Sequence, residues 1–247
     1  MRPLLRWIGL VLAAGLVLQL FFVARIALMV VMDPQSTAFQ RSEAWRIWRE
    51  KDALRWRQQW VPYDQISDQL KRAVIASEDD GFSTHGGVDW DALEKAWKKN
   101  SRAEEQAAKR APRQASSKGQ GGQAPKVVGG STITQQLAKN LLLSGERSLL
   151  RKGQELVLTL LLEALLDKRR ILEIYLNSVE WGEGVFGAQA ASEHYFHKSA
   201  ARLGAFEAAR LAVMLPRPKY FEKLPNSGYL SSRSATIAAR MADARLP

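Results

Sequence analysis

From Trp7 to Ala24 the chain runs for 18 residues without a charge, as WIGLVLAAGLVLQLFFVA. Nothing else in the sequence restricts the fold as strongly. At about 1.5 Å of rise per residue, roughly 20 apolar residues cross the hydrocarbon core of a bilayer as a helix. A second apolar stretch, IALMVVM, follows Arg25. Residues 1–32 therefore read as a cytoplasmic N-terminus and a membrane anchor. Arg2 and Arg6 precede the run, which keeps the short end cytoplasmic and puts the rest of the chain outside the inner membrane. The alternative is a cleaved signal peptide. The run exceeds a normal signal core, and no clear small-x-small site follows it.

The chain has 247 residues, 46% of them hydrophobic, which suffices for one sizeable domain with an appendage. Cysteine is absent, so a disulfide framework and a thiolate metal site are excluded. The net charge of +11 and the pI near 10.0 suit nucleic acid, anionic lipid or a phosphate-bearing substrate. A location outside the membrane weakens the first, and no nucleic-acid partner is expected.

Residues 33–60 read as a juxtamembrane segment. A linker spans 33–41. Residues 42–60 then combine Trp45, Trp48, Trp56 and Trp60 with Lys and Arg. That mixture suits either the lipid headgroup layer or a surface helix with some Trp in the core. Residues 61–247 form the domain. Helices are expected over 64–79, 133–143, 149–167, 168–177, 187–196, 204–214 and 231–242. Residues 98–126, rich in Ala, Lys, Arg, Gln, Ser and Gly, read as a mobile loop or weak helix. The stretch LVLTLLLEALL (156–166) is apolar nearly all round and reads as a buried core helix. No stretch alternates like a strand, so the architecture is mainly α.

Three stretches carry chemistry. The first is ASEDDGFSTHGG (76–87): upstream of it Ile66, Leu70 and Val74 recur every four residues, and Glu78 is the next member of that series. An inward carboxylate is desolvated toward general acid or base use, whereas three adjacent acids also make a solvated turn. In GGSTITQQLAKN (129–140), two glycines lead into a helix N-terminus with Thr132 as its cap. Free N–H groups there bind anions, and Lys139 is placed to meet a phosphate beside Gln136 and Asn140. Ordinary capping with a polar outer face explains the same residues. In RKGQE (151–155), Arg151 and Glu155 share a helix face, as active groups or as a surface ion pair. Glu163, inside the apolar run, reads as structural and needs a partner such as Lys168. His194 and His197 lack the zinc-protease pattern, and His85 reads as a hydrogen-bonding brace. No serine-nucleophile elbow is present.

Together these stretches resemble the biosynthetic peptidoglycan glycosyltransferases, lysozyme-like enzymes that polymerise lipid II. The first family motif is matched by Glu78, Asp79, Phe82, His85 and Gly87. The second runs unbroken from Gly129 to Asn140, and the third is Arg151, Lys152 and Glu155. ILEIYLN (171–177) and EAARLAVMLPRP (207–218) complete five motifs in order. NSVEWGEGVFG (177–187), and a chain stopping at Pro247 with no room for a transpeptidase domain, resemble the monofunctional branch. Two positions depart from the pattern: family members often carry Ser at Asp167 and Gly at His197.

The resemblance implies a lysozyme-like, mainly α glycosyltransferase domain behind one transmembrane helix, with the domain periplasmic and the anchor in the bacterial inner membrane. It implies transfer of a glycan chain on undecaprenyl pyrophosphate to the GlcNAc 4-hydroxyl of lipid II, with inversion. Glu78 would be the general base. Glu155 would hold the acceptor or orient its cationic neighbours. Lys139, Arg151 and Lys152 would supply cations for the pyrophosphate. Ser131, Thr132, Gln136 and Asn140 would position sugars and phosphate, with Asp79, Phe82 and His85 in support. A divalent cation, Mg2+ or Mn2+, often assists the family; its ligands are not assigned. Cell-wall synthesis or division proteins are conceivable partners. A lytic enzyme that cuts finished glycan and a non-enzymatic envelope scaffold are the rival readings.

Overall fold

The computed structural model describes residues 2–114, 130–143 and 148–247. The first helix, α1 (Arg2–Leu28), is long and apolar enough to cross a membrane. Its first five turns expose their side chains, with Leu12 at 68% and Val17 at 65%. Farther along, Phe22 and Ile26, with Met29 just beyond, join the hydrophobic core. Gln19, within the apolar run, exchanges two hydrogen bonds with Gln154, at 2.9 and 3.2 Å. The anchor is thus docked on the domain by its C-terminal half. Arg170 secures the exit by donating to the Met29 and Met32 carbonyls and to Asp33.

The expected linker is shorter than residues 33–41. Helix α2 (Ala38–Lys51) starts inside it, because Thr37 and Gln40 form a reciprocal capping box. The same Gln40 donates to the Ser178 carbonyl, and Ile47 is fully buried, so α2 is part of the domain. Trp45 and Trp48 stay exposed on its outer side, 5.0 Å apart. Three short strands follow the absence of any alternating pattern: β1 (Arg57–Gln58), β2 (Glu180–Gly182) and β3 (Val185–Phe186). β3 lies between the others, parallel to β1 and antiparallel to β2. Strands of two or three residues are too short to show a period of two.

The helices otherwise fall where the apolar spacing puts them. They are α3 (Asp68–Glu78), α4 (Trp90–Gln114), α5 (Ile133–Leu142), α6 (Leu149–Leu165) and α7 (Lys168–Ser178). After the sheet come α8 (Ala188–Phe196), α9 (Ala205–Met214), α10 (Pro218–Glu222) and α11 (Gly228–Arg240). The span expected from residue 64 divides into a 3-10 turn (Tyr63–Gln65) and α3, which Ser67 caps. In the segment expected as a mobile loop or weak helix, residues 98–114 continue α4, and residues 115–126 lie outside the described residues. Helix α9 packs between α3 and α11, while α5 rests on α6, α2 and α7.

One expectation is overturned. Helix α6 is not buried all round. Leu158 and Leu162 face the core with no exposure, but Leu150, Val157 and Leu160 stand 86%, 43% and 52% exposed. This open apolar face borders the docked part of α1. Hydropathy alone does not tell which faces of an apolar helix are covered, and this helix has one buried face and one exposed face.

The two departures from the family pattern have local explanations. Asp167 caps α7 by accepting from the Arg170 amide at 2.6 Å, a role serine also fills. His197 ends α8 in the left-handed region at φ 55°, where glycine is the unstrained choice. His194, the other histidine of that segment, sits between Arg57 and Glu222 at 3.3 Å from each.

Candidate active site

A cleft of about 620 Å³ opens between α5 and α2. Helix α5 lines it with Gln136, Lys139 and Asn140, which their i, i+3, i+4 spacing brings to one face. Glu78 enters at the end of α3, Ser131 just before α5, and Arg151 from the first turn of α6. Tyr175 and Glu180 complete the inner wall, and Phe39 and Ser42 of α2 form the opposite one.

The Glu78 carboxylate accepts from the Gln136 amide at 3.1 Å and from the Ser77 hydroxyl at 3.4 Å. Gln136 in turn accepts from the fully buried Tyr175 hydroxyl at 2.9 Å, which fixes which way its amide points. Among the described residues, no cation hydrogen-bonds Glu78. Burial raises its pKa above the usual carboxylate range, and the two hydrogen bonds only partly offset this. Burial likewise raises the Tyr175 pKa, so its hydroxyl stays a donor.

Asp79, one residue on, has a different environment. It is 8% exposed and bonds on both oxygens. One accepts from the Ile133 amide at the start of α5, at 2.9 Å, and the other is 2.8 Å from His85 Nε2. His85 Nδ1 accepts from the Gly87 amide, so Nε2 carries the proton and donates to Asp79. His85 is therefore a brace, as its isolation in the sequence predicts. Phe82 is fully buried beside it, with Lys168 Nζ 4.6 Å above its ring. Gly87 adopts φ 88°, and a Cβ there would stand 2.7 Å from Glu163 Cγ. This close approach admits only glycine. Glu163 itself accepts from Thr134 and Lys168 at 2.6 and 2.7 Å, the structural pairing its place in the apolar run requires. Asp80 is exposed, 3.1 Å from Arg240.

At the other end of the cleft, Arg151 and Lys152 both reach Glu155, at 3.3 and 2.5 Å. Glu155 is 4% exposed, and its carboxylate accepts from both cations. Lys139 projects between the two ends. Solvent reaches it, yet the cleft walls desolvate its ammonium and lower its pKa, with Glu155 opposing and Arg151 adding to the shift. Thr132 is 3% exposed at the start of α5. Its hydroxyl donates to the Gly87 carbonyl at 2.6 Å and accepts from the Gln135 amide, so it holds the α5 terminus to the Glu78 loop. Ser131 is exposed at the cleft.

Sequence spacing did not reveal Tyr175, Glu180, Phe39 or Ser42 as cleft residues. The Tyr175 signal was present, since Tyr175 stands on the same α7 face as Ile171 and two residues before Asn177. Among the described residues, no three His, Asp or Glu side chains converge as a metal set.

Comparison with known proteins agrees with this geometry. The transglycosylase family profile matches residues 48–242. A biosynthetic peptidoglycan transglycosylase of Burkholderia orbicola (strain MC0-3) is 53% identical over 234 residues, covering 95% of this chain and 87% of that protein. Those of Burkholderia thailandensis and Burkholderia lata are 51% and 52% identical, over 100% and 98% of this chain and 90% and 92% of theirs.

Proposed function

The chain belongs to the transglycosylase family, and on that premise we propose that it polymerises lipid II into linear β-1,4 glycan strands for the bacterial cell wall. The carrying observation is a single cleft with a desolvated, cation-free carboxylate at one end and a cation set at the other. Glu78 takes the proton from the GlcNAc 4-hydroxyl of lipid II. The freed oxygen attacks C1 of the MurNAc that ends the donor chain, inverting it, and undecaprenyl pyrophosphate leaves. A base with a raised pKa holds that proton more firmly than an ordinary carboxylate. The Gln136 amide, held by Tyr175, keeps the carboxylate aimed.

Lys139 and Arg151 meet the developing charge on the pyrophosphate, with Lys152 at the rim and Glu155 fixing the geometry of both neighbours. Ser131 and Asn140 offer neutral contacts along the same wall. A divalent cation would most simply enter on the substrate's own phosphates, and no step depends on one.

The anchor supports this reading. A polyprenyl substrate stays in the bilayer, so a tethered cleft gains effective concentration. The apolar outer face of α6, beside α1, and the exposed Trp45 and Trp48 favour a domain lowered onto the periplasmic side of the inner membrane, with the N-terminus cytoplasmic.

Incubation of the full-length protein in liposomes with labelled lipid II should give long glycan, and incubation with finished murein should release none. Release from murein would favour the lytic reading. Absence of both activities would favour the scaffold.

A further inference from the structure

Glu180 is a cleft residue that this mechanism leaves without a task. It starts β2, only 7% exposed, and lines the same cavity as Glu78. One carboxylate oxygen has no hydrogen-bond partner. The other stands 3.4 Å from Lys219 of α10. Lys219 is not free to neutralise it, because it hydrogen-bonds Glu43 of α2 more closely. Two carboxylates thus compete for one lysine. Burial by itself would raise the Glu43 pKa, but hydrogen bonds from Arg46 and Lys219 outweigh it and hold Glu43 ionised. Glu180 receives the remainder. Burial pushes its pKa up to about 7, with Lys219 pulling down and Glu43 adding to the rise.

A buried, half-satisfied carboxyl in a ligand cleft calls for a hydrogen-bonding partner from the ligand. An anion does not fit, since both Glu180 and Glu43 would repel it and the cations of the cleft lie at Lys139 and Arg151. A neutral group that both donates and accepts does fit. We propose that Glu180 is a substrate-binding residue that hydrogen-bonds a hydroxyl or acetamido group of an amino sugar, and so sets the register of the glycan relative to Glu78. This rests on the polymerase reading above. It gives the second carboxyl lining the cleft a binding task separate from the chemistry of Glu78.

The groups that bear on the ionisation of Glu180 are Lys219 on α10, Glu43 on α2, Tyr195 on α8 and the Gly184 backbone in the β2–β3 turn, which hydrogen-bonds the carboxylate and lowers its pKa.

The test uses full-length protein in liposomes with labelled lipid II. Glu180→Leu should raise KM about three- to tenfold with little change in kcat, the loss expected for one neutral hydrogen bond. Glu180→Gln, which keeps a donor and an acceptor, should restore KM and remove an inflection of kcat/KM near pH 7. Wild-type KM in Glu180→Leu, at an unchanged melting temperature, would overturn the inference. If Glu180→Leu does not fold, Glu180→Ala takes its place, and a wild-type KM in that variant, at an unchanged melting temperature, overturns the inference. No polymer from the wild-type protein would instead sink the polymerase reading, and this inference with it.

Discussion

Glu78 and Glu155 are the two acids the family motifs single out, and they have opposite electrostatic surroundings. Glu78 accepts two hydrogen bonds from neutral groups, and burial raises its pKa. Glu155 is buried more deeply yet is held by an arginine and a lysine. Burial alone therefore does not decide what an acid does. The partner decides: a carboxylate without a cation holds a proton well, and one between cations becomes a fixture that aims them.

Removing each acid should break this symmetry. Glu78→Gln keeps the hydrogen bond to Gln136 and removes the base. It should lower the rate of lipid II polymerisation about 10³-fold, within the range general bases contribute, while KM changes little. The same variant should melt higher at pH 8. A carboxyl whose folded pKa is raised contributes stability that is full below its unfolded pKa and lost as pH rises through the folded one. Glu155→Gln should act on binding instead, raising KM about tenfold as Arg151 and Lys152 lose their common partner. A loss in kcat equal to that of Glu78→Gln would show that Glu155 joins the chemistry, and the contrast would fail.

A smaller effect sharpens the contrast from the other side. Asp79 is as buried as Glu155 but touches only the fold. Asp79→Ala leaves the Ile133 amide and His85 unpaired, and should cost about 2–4 kcal/mol of stability. For a domain of this size, calorimetry should record a melting temperature lower by roughly 5–15 °C.

The helical spacing of Ile66, Leu70 and Val74 made the inward direction of Glu78 legible in the sequence, and the capping box at Thr132 placed the start of α5. Other features were hidden for physical reasons. Asp79 and Ile133 are 54 positions apart, and no local pattern announces a bond between them. Glu180 lies in a three-residue strand whose burial comes from α2 and α10, neither visible from its neighbours. The capping box at Thr37 and Gln40 was present in the sequence, but the Trp and basic residues after it drew the reading toward the membrane surface. The outward face of α6 was misjudged because a leucine run looks the same whether protein or lipid covers it.

The account depends most on Glu78 acting as a base from a desolvated position. The direct measurement is kcat/KM for lipid II against pH, in a Glu180→Gln background that removes the titration near pH 7. The account predicts that activity falls on the acid side as Glu78 takes up its proton, with a midpoint above the ordinary glutamate value of about 4.3. An acid limb at or below that value, or a profile unaffected by protonation, would contradict it.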